Sequence, residues 1–358
     1  MDGPEPDRLV SLDAFRGSTI AAMILVNNPG DWGHVYWPLA HAPWHGWTPT
    51  DLIFPFFLFM VGMALPFSRR VRAAEAWRRA AVIAGLGLFM AAFPYFDLFT
   101  VRIPGVLMRI ALCYIAAWAI RRITGPAGQA MAAVALLIGY WVLMTQVPVP
   151  GGHPPNLDPP NNLGAWVDRV LLGAHLWKAS RTWDPEGLLS TLPAIATTLL
   201  GLLAGEWLRT AETGARKTAG LLGAGLVLVI AGLAWGRSFP INKSLWTSSY
   251  AVFTAGMAAY LFGLLYWIAD VRGHRQWCRP LVVYGRNAIL VFVLSGLLAK
   301  TLALVRVGDL SLQALLHGAL FASWLPPYPA SLAWAIANVA AWYVVLRELD
   351  RKGLHFKV

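Results

Sequence analysis

The sequence predicts an all-α, polytopic transmembrane helical bundle of about ten helices with both termini in the cytoplasm. Three observations predict it. Hydrophobic residues make up 57% of the 358 positions and charged residues only 13%, against about 25% charge in a typical soluble domain, so polar surface is too scarce to cover a globule in water. Apolar runs of about twenty residues, the length that crosses a bilayer core, recur along the chain. Basic residues collect in alternate links between those runs, which is the bias of cytoplasmic loops.

The runs are taken in order. The first spans 9–28, after an acidic, proline-rich start (Met-Asp-Gly-Pro-Glu-Pro-Asp) that lacks the basic opening of a cleaved signal peptide, so this helix is expected to insert and remain. The second, 49–68, opens on Thr48-Pro49-Thr50-Asp51, with Thr48 as N-cap, Pro49 in the first turn and Asp51 at the capping-box position. Segments 79–99 and 104–120 flank Pro94 and Pro104, and 128–147 follows. Segment 187–208 opens after Asp184-Pro-Glu-Gly187, and 218–235 follows Arg216-Lys217. Segment 248–269 follows Asn242-Lys243-Ser244, 280–300 follows Arg279, and 329–347 ends at Arg347. The stretch 301–328 holds one apolar piece, Leu310–Trp324, too short to span and read as interfacial or re-entrant. No internal repeat is visible, and residues 1–358 read as a single domain.

Orientation follows from lysine and arginine. Arg69, Arg70, Arg72, Arg78 and Arg79, then Arg121-Arg122, then Arg209, Arg216 and Lys217, then Arg272, Arg275 and Arg279, and finally Arg347, Arg351, Lys352 and Lys357 share one side. The opposite links are poor in charge: 29–50 has no Lys or Arg, and 148–186 has only Arg169, Lys178 and Arg181. The net charge of +11 therefore reflects loops held in the cytoplasm, and nucleic acid is rejected as a partner. The predicted setting is a cell inner membrane, crossed many times. Cys113 lies in an apolar run and Cys278 in a basic loop, which argues against a structural disulfide.

In lipid the informative residues are polar ones at depth, because each must be paired or wetted. Asp13, Arg16 and Asn27 fall within about 60° of one another on a helix. Either Asp13 and Arg16 pair near the headgroups while Asn27 ends the helix, or the three line a polar path. The outer loop 29–50 holds His34, His41 and His45 with Trp32, Trp37, Trp44 and Trp47. Three histidines without cysteine or an acidic cluster at ligand spacing make a poor metal site, and none is predicted. The tryptophans suit an interfacial belt, and any one histidine could serve as a base. Asp51 either caps the second helix or orients His41, or does both. Arg109 sits inside the fourth segment, facing an anion or a helix end. Arg286 and Asn287 open the ninth.

At this point the sequence resembles the transmembrane acetyltransferases related to heparan-α-glucosaminide N-acetyltransferase. The resemblance rests on Arg8-Leu-Val-Ser-Leu-Asp13-Ala-Phe-Arg16-Gly17, Met23-Ile-Leu-Val-Asn27 and His41-Ala-Pro-Trp44-His-Gly46-Trp-Thr48-Pro-Thr-Asp51-Leu-Ile-Phe54-Pro55-Phe56. It continues in Asp184-Pro-Glu-Gly187, Ile241-Asn-Lys-Ser-Leu-Trp246-Thr-Ser-Ser-Tyr250 and Asn287-Ala-Ile-Leu-Val-Phe. The resemblance implies transfer of an acetyl group from cytoplasmic acetyl-CoA to the nitrogen of an amino sugar on the far side, with Asn27 and His41 at the reaction centre. From the residues themselves, Asp51 joins the catalytic candidates, Asp13, Arg16, Arg109, Arg286 and Asn287 are candidate donor contacts, and Trp44, His45, Glu186, Asn242, Lys243 and Trp246 are candidate acceptor contacts; a homodimer follows by family analogy. Two departures from the lysosomal enzyme stand out: no large domain precedes the first matched helix, and Ser295-Gly296 stand where animal proteins carry a histidine and an acid.

Elementary chemistry agrees. Only an unprotonated amine attacks a thioester, and a histidine side chain titrates near neutrality. An asparagine amide can donate to the developing oxyanion without carrying charge, a bond worth roughly 3–4 kcal/mol in the transition state. His41 could take the proton in a direct transfer or carry the acetyl group itself; direct transfer is the reading preferred. The competing class is a secondary transporter of an amino sugar, which would favour repeats and helices broken at the midplane. A purely structural scaffold explains the bundle but not the polar stripe or the histidine loop.

Overall fold

The computed structural model describes residues 9–68 and 71–356. Arg8, Arg69, Arg70, Lys357 and the acidic N-terminal heptapeptide, all used above, lie outside the described residues. The helices in chain order are α1 (Val10–Asn27), α2 (Ile53–Ala64), α3 (Ala73–Ala92), α4 (Val106–Ile123) and α5 (Pro126–Gln146). Then come α6 (Leu163–Leu172), α7 (Thr191–Leu208), α8 (Gly214–Trp235), α9 (Ser248–Tyr266) and α10 (Arg279–Arg286). The last are α11 (Ala288–Leu304), α12 (Leu312–His317) and α13 (Pro327–Arg351). Strands β1 (Arg306–Val307) and β2 (Leu310–Ser311) form one antiparallel hairpin.

The protein is an all-α multi-pass membrane protein. A helix stands at each of the ten predicted segments. Among the described residues six helical stretches are long and apolar enough to cross a bilayer, and a seventh counts if α10 and α11 are one bent span. Helices α1, α3 and α4 fall short because they carry charge: Asp13 and Arg16, then Glu75, Arg78 and Arg79, then Arg109, Arg121 and Arg122. The segment predicted at 79–99 begins earlier, since Glu75 accepts from Arg79 at 2.9 Å across one turn and carries the helix into the polar zone. It ends earlier too, before Pro94. The unbroken helix expected over 280–300 is corrected: α10 and α11 meet at 68°. At the corner Asn287 leaves helical geometry, with φ −122° and ψ 33°. Its side chain bonds the C-terminal tail, donating to Leu354 O at 3.2 Å and accepting from Phe356 N at 2.9 Å. The stretch 301–328 is the hairpin followed by a short helix through Ala322, in keeping with a piece too short to span.

The chain divides into two compact units. One comprises residues 1–41, 48–53 and 268–358; the other comprises 42–47 and 54–267. In the first, α1 packs chiefly on α10. Glycines allow the close approach: a Cβ at Gly17 would lie 1.7 Å from Leu281 O, and one at Gly285 would lie 2.0 Å from Asp13 O. The first turn of α1 is capped from a distance, by Asp270, whose carboxylate accepts from Val10 N at 3.1 Å and Ser11 N at 2.9 Å. Its exit is clamped as well. Gly30 N donates to Ser331 O, Asp31 N donates to Ser331 Oγ, and Gln313 Nε2 donates to Pro29 O.

In the second unit α7 is central, packing on α4, α5 and α9, while α8 and α9 form the most extensive helix pair. Backbone contact again needs glycine: a Cβ at Gly62 would lie 1.8 Å from Thr198 O, and one at Gly201 would lie 1.9 Å from Phe59 O. The loop 148–186 is held by local hydrogen bonds. Val149 and His153 pair as a β-bridge, and Asn162 caps α6 by accepting from Ala165 N at 2.9 Å. Val149 and Leu163 enter an apolar cluster with Tyr140, Met144, Phe239 and Leu245.

Candidate active site

The first unit holds Asn27, His41 and Asp51. Thr48 and Asp51 form a capping box over the one-turn 3-10 helix Pro49–Leu52 that leads into α2. Within it Thr48 N donates to Asp51 Oδ2 at 3.0 Å. The other carboxylate oxygen, Oδ1, accepts from His41 Nδ1 at 2.7 Å. Asp51 therefore does both jobs that the sequence left open. Its side chain is 1% exposed, while that of His41 is 48% exposed. A buried carboxylate beside Nδ1 favours a proton on that nitrogen. The backbone before His41 is pinned too: Thr48 Oγ1 donates to Ala40 O at 2.6 Å and Thr50 Oγ1 to Pro38 O at 3.0 Å. The same turn packs against α1, the helix that ends in Asn27.

Asn27 is exposed, and its side chain makes no hydrogen bond among the described residues, unlike Asn28, whose amide donates to Ile24 O at 2.7 Å. Earlier on α1, Arg16 Nη1 meets Asp13 Oδ1 at 3.3 Å, the pairing that the sequence offered as the alternative to a polar path. Arg286 pairs with Asp350 at 2.6 Å, and His355 Nε2 approaches the same oxygen at 3.1 Å. With Asn287 bonded to Leu354 and Phe356, these two residues hold the C-terminal tail in this structure. A second histidine–carboxylate pair, Asp31 Oδ2 to His34 Nδ1 at 2.6 Å, lies four residues beyond Asn27. The His34 bond and the Gly33 N–H hold the Asp31 carboxyl below its usual range. The sequence reading named His34 without its partner; the Asp-x-Gly-His spacing, an Asx turn, was the available signal.

The second unit gathers the remaining candidates. His45 is exposed, with Nδ1 3.4 Å from Asn242 Nδ2, and Gly46 N donates to Ile241 O at 2.8 Å from a backbone at φ +99° that only glycine adopts freely. Asn242 is fully buried and its Oδ1 accepts from Leu245 N at 2.8 Å. Lys243 beside it is half-buried. Trp246 lies in the core, donating from Nε1 to Thr197 Oγ1 at 3.2 Å. Trp44 donates to Leu157 O at 3.0 Å and meets Trp183 edge to face.

Arg109 is 1% exposed; it donates to Gly187 O at 3.0 Å and to Ser190 Oγ, and its guanidinium carbon lies 5.1 Å over the Trp246 ring. Glu186 belongs to an ion cluster whose hub is Arg102, which the sequence reading missed. Arg102 bonds Asp184 through two nitrogens, at 2.8 and 2.5 Å, and Glu186 at 2.5 Å. Burial opposes its charge, but the two carboxylates outweigh burial and hold the guanidinium above its ordinary range. A lone arginine on a link otherwise poor in charge was the signal for it. Asp168 of α6 stands behind the cluster, accepting from Leu188 N at 2.9 Å, and burial pushes its carboxyl up to about 6.

A family profile described as heparan-alpha-glucosaminide N-acetyltransferase, catalytic, matches residues 8–237. The chain belongs to this family. The matched stretch contains Asn27, His41, Asp51, Arg109 and Glu186. Among curated proteins, the heparan-alpha-glucosaminide N-acetyltransferase of Homo sapiens is 31% identical across 80% of this chain and 52% of its own length. That of Mus musculus is 28% identical across 80% and 53%. The chain thus spans about half the length of these relatives.

Proposed function

We propose that this chain is a single transmembrane acyltransferase domain, of ten spans with both termini cytoplasmic, in a cell inner membrane. It moves an acetyl group from cytoplasmic acetyl-CoA to the amine of a glucosamine-type sugar on the outer side. The observation that carries the reading is the exposed imidazole of His41, held by a buried carboxylate that is itself locked into a helix cap.

The arrangement fits acyl transfer at the reacting end. Acetyl-CoA supplies the thioester. His41 Nε2 accepts the proton that the acceptor amine loses as its nitrogen bonds to carbon. Asp51 stabilises the imidazolium so formed and keeps the ring in its tautomer. Asn27 Nδ2, with no competing bond among the described residues, donates to the carbonyl oxygen as charge builds on it. His41 then returns the proton to the departing sulfur. Asp13 with Arg16, Arg109, Arg286 and Asn287 are assigned to the donor, and Trp44, His45, Glu186, Asn242, Lys243 and Trp246 to the acceptor.

The test is to incubate the purified full chain with acetyl-CoA and a panel of amino sugars and to read products by mass. Acetylated amino sugar is expected from the wild type, and none from His41→Ala, which still binds CoA. Full turnover by His41→Ala, or a competent acetyl-histidine trapped on His41, would overturn the direct mechanism. A second reading, secondary transport of an amino sugar, draws support from the 68° break at Asn287, since half-helix ends build transporter sites. Uptake of labelled amino sugar into proteoliposomes without CoA would favour the transporter.

A further inference from the structure

A polar cavity of about 380 Å³ lies in the second unit at the turn between α4 and α5. Its wall includes Trp118, Arg121, Arg122, Gly125, Gln129 and Glu206. The volume falls within the ordinary range of small-ligand pockets, about 300–1,000 Å³. Glu206 is already neutralised, accepting from Arg121 Nε at 2.8 Å. Arg122 is exposed, and its guanidinium carbon lies 5.7 Å over the Trp118 ring, which orients the cation without engaging its N–H groups. Gly125 and Pro126 bring the N-terminus of α5, a helix of 21 residues with no side-chain cap, to the same wall. The first-turn amides there have no intrahelical partner and favour an anion. An independent observation points to a ligand: Gln129 is 2% exposed and its Oε1 has no hydrogen-bond partner among the described residues. A buried acceptor left without a donor is uncommon and costly.

We propose that this cavity is a binding site for a phosphate-bearing ligand, with Arg122 and the α5 N-terminus holding the phosphate and Gln129 Oε1 accepting from a neighbouring donor on the ligand. Two sources share this chemistry. The phosphorylated nucleotide of CoA carries an adenine amine and ribose hydroxyls near its phosphates, and an anionic phospholipid headgroup carries glycerol hydroxyls. The assignment to the cytoplasmic face rests on the orientation given under the proposed function; the binding chemistry does not.

The experiment measures binding, not turnover, on the purified full chain. CoA is titrated with the protein in detergent, and phosphatidylglycerol retention is compared with phosphatidylcholine in nanodiscs. Arg122→Ala is expected to weaken at least one of the two by about tenfold or more, the worth of one charge-assisted bond. Gln129→Glu, which sets a negative charge in the pocket, should weaken the same ligand. Arg122→Lys should retain most binding, which a folding defect would not do. Loss confined to CoA identifies the nucleotide, and loss confined to phosphatidylglycerol identifies the headgroup; either supports the site. Wild-type binding of both ligands by Arg122→Ala and Gln129→Glu, or binding of neither by the wild type, overturns it. Failure of acetyl transfer with Arg122-dependent binding intact would reject the proposed function and leave this site standing.

Discussion

Replacing Asp51 by Asn separates the two duties of that carboxylate. The shape is kept, and one of its two oxygens becomes an NH2. If the remaining oxygen faces Thr48 N, the NH2 faces His41 Nδ1, 2.7 Å from Asp51 Oδ1 in the wild type. Nδ1 must then accept, the ring proton moves to Nε2, and the base is lost. If the oxygen faces His41 instead, the NH2 opposes Thr48 N–H and the cap fails, at a cost of about 1 kcal/mol. The cap favours the first arrangement. A wrong tautomer in a comparable histidine–carboxylate pair lowers kcat by about 10⁴-fold. Because the His41 side chain is 48% exposed, water can support the productive tautomer part of the time, so a fall of about 10²- to 10⁴-fold is expected. The assay is the acetyl-CoA and amino-sugar reaction read by mass, with kcat and KM separated and the melting temperature recorded. The expected result is a fall in kcat at nearly constant KM with little change in melting. Activity within about twofold of wild type would refute the argument and leave Asp51 a helix cap only.

Asn27→Ala should lower kcat by about 10²- to 10³-fold, the worth of one oxyanion donor, with CoA binding unchanged; an unaltered kcat would remove Asn27 from the reaction. Asp168 is raised from 3.8 to about 6, so its contribution to stability is full below pH ~4 and lost as pH rises through ~6, with a ceiling of about 3 kcal/mol. Asp168→Asn keeps an acceptor for Leu188 N and should flatten the loss of thermal stability between pH 5 and pH 7.5; an identical pH profile would contradict this. Gly285→Ala would set a Cβ 2.0 Å from Asp13 O, and overpacking of this kind costs about 1–3 kcal/mol. A lower melting temperature together with weaker acetyl transfer is expected, since α1 carries Asn27, and an unchanged melting curve would show that the two helices yield freely.

Much of the fold could be read from the chain because lipid imposes a strict rule on length and polarity. The cap at Thr48–Asp51 was legible from four residues, since proline and the threonine–aspartate spacing act locally. The link from Asp51 to His41 was readable only as an option, because it joins loop positions whose separation depends on the path of the chain. The break at Asn287 escaped notice for a related reason: 280–300 is apolar enough to continue, and the partners that bend it, Leu354 and Phe356, lie nearly seventy residues away. Arg102 and Asp168 gain their meaning from Asp184, Glu186 and Leu188, contacts made only after the helices pack. Asn242 and Trp246 were named for the acceptor by residue type, and their burial is visible only once the helices of the second unit have packed.

The clamp at the exit of α1 bears on how the molecule is made. Gly30 and Asp31 take their positions from Ser331, and Pro29 takes its own from Gln313, so an early loop is shaped by helices that the ribosome reaches about three hundred residues later. A nascent chain that has threaded its early spans still lacks that grip. Any task that needs this loop in place must therefore wait until the segment carrying Gln313 and Ser331 has been made and has docked.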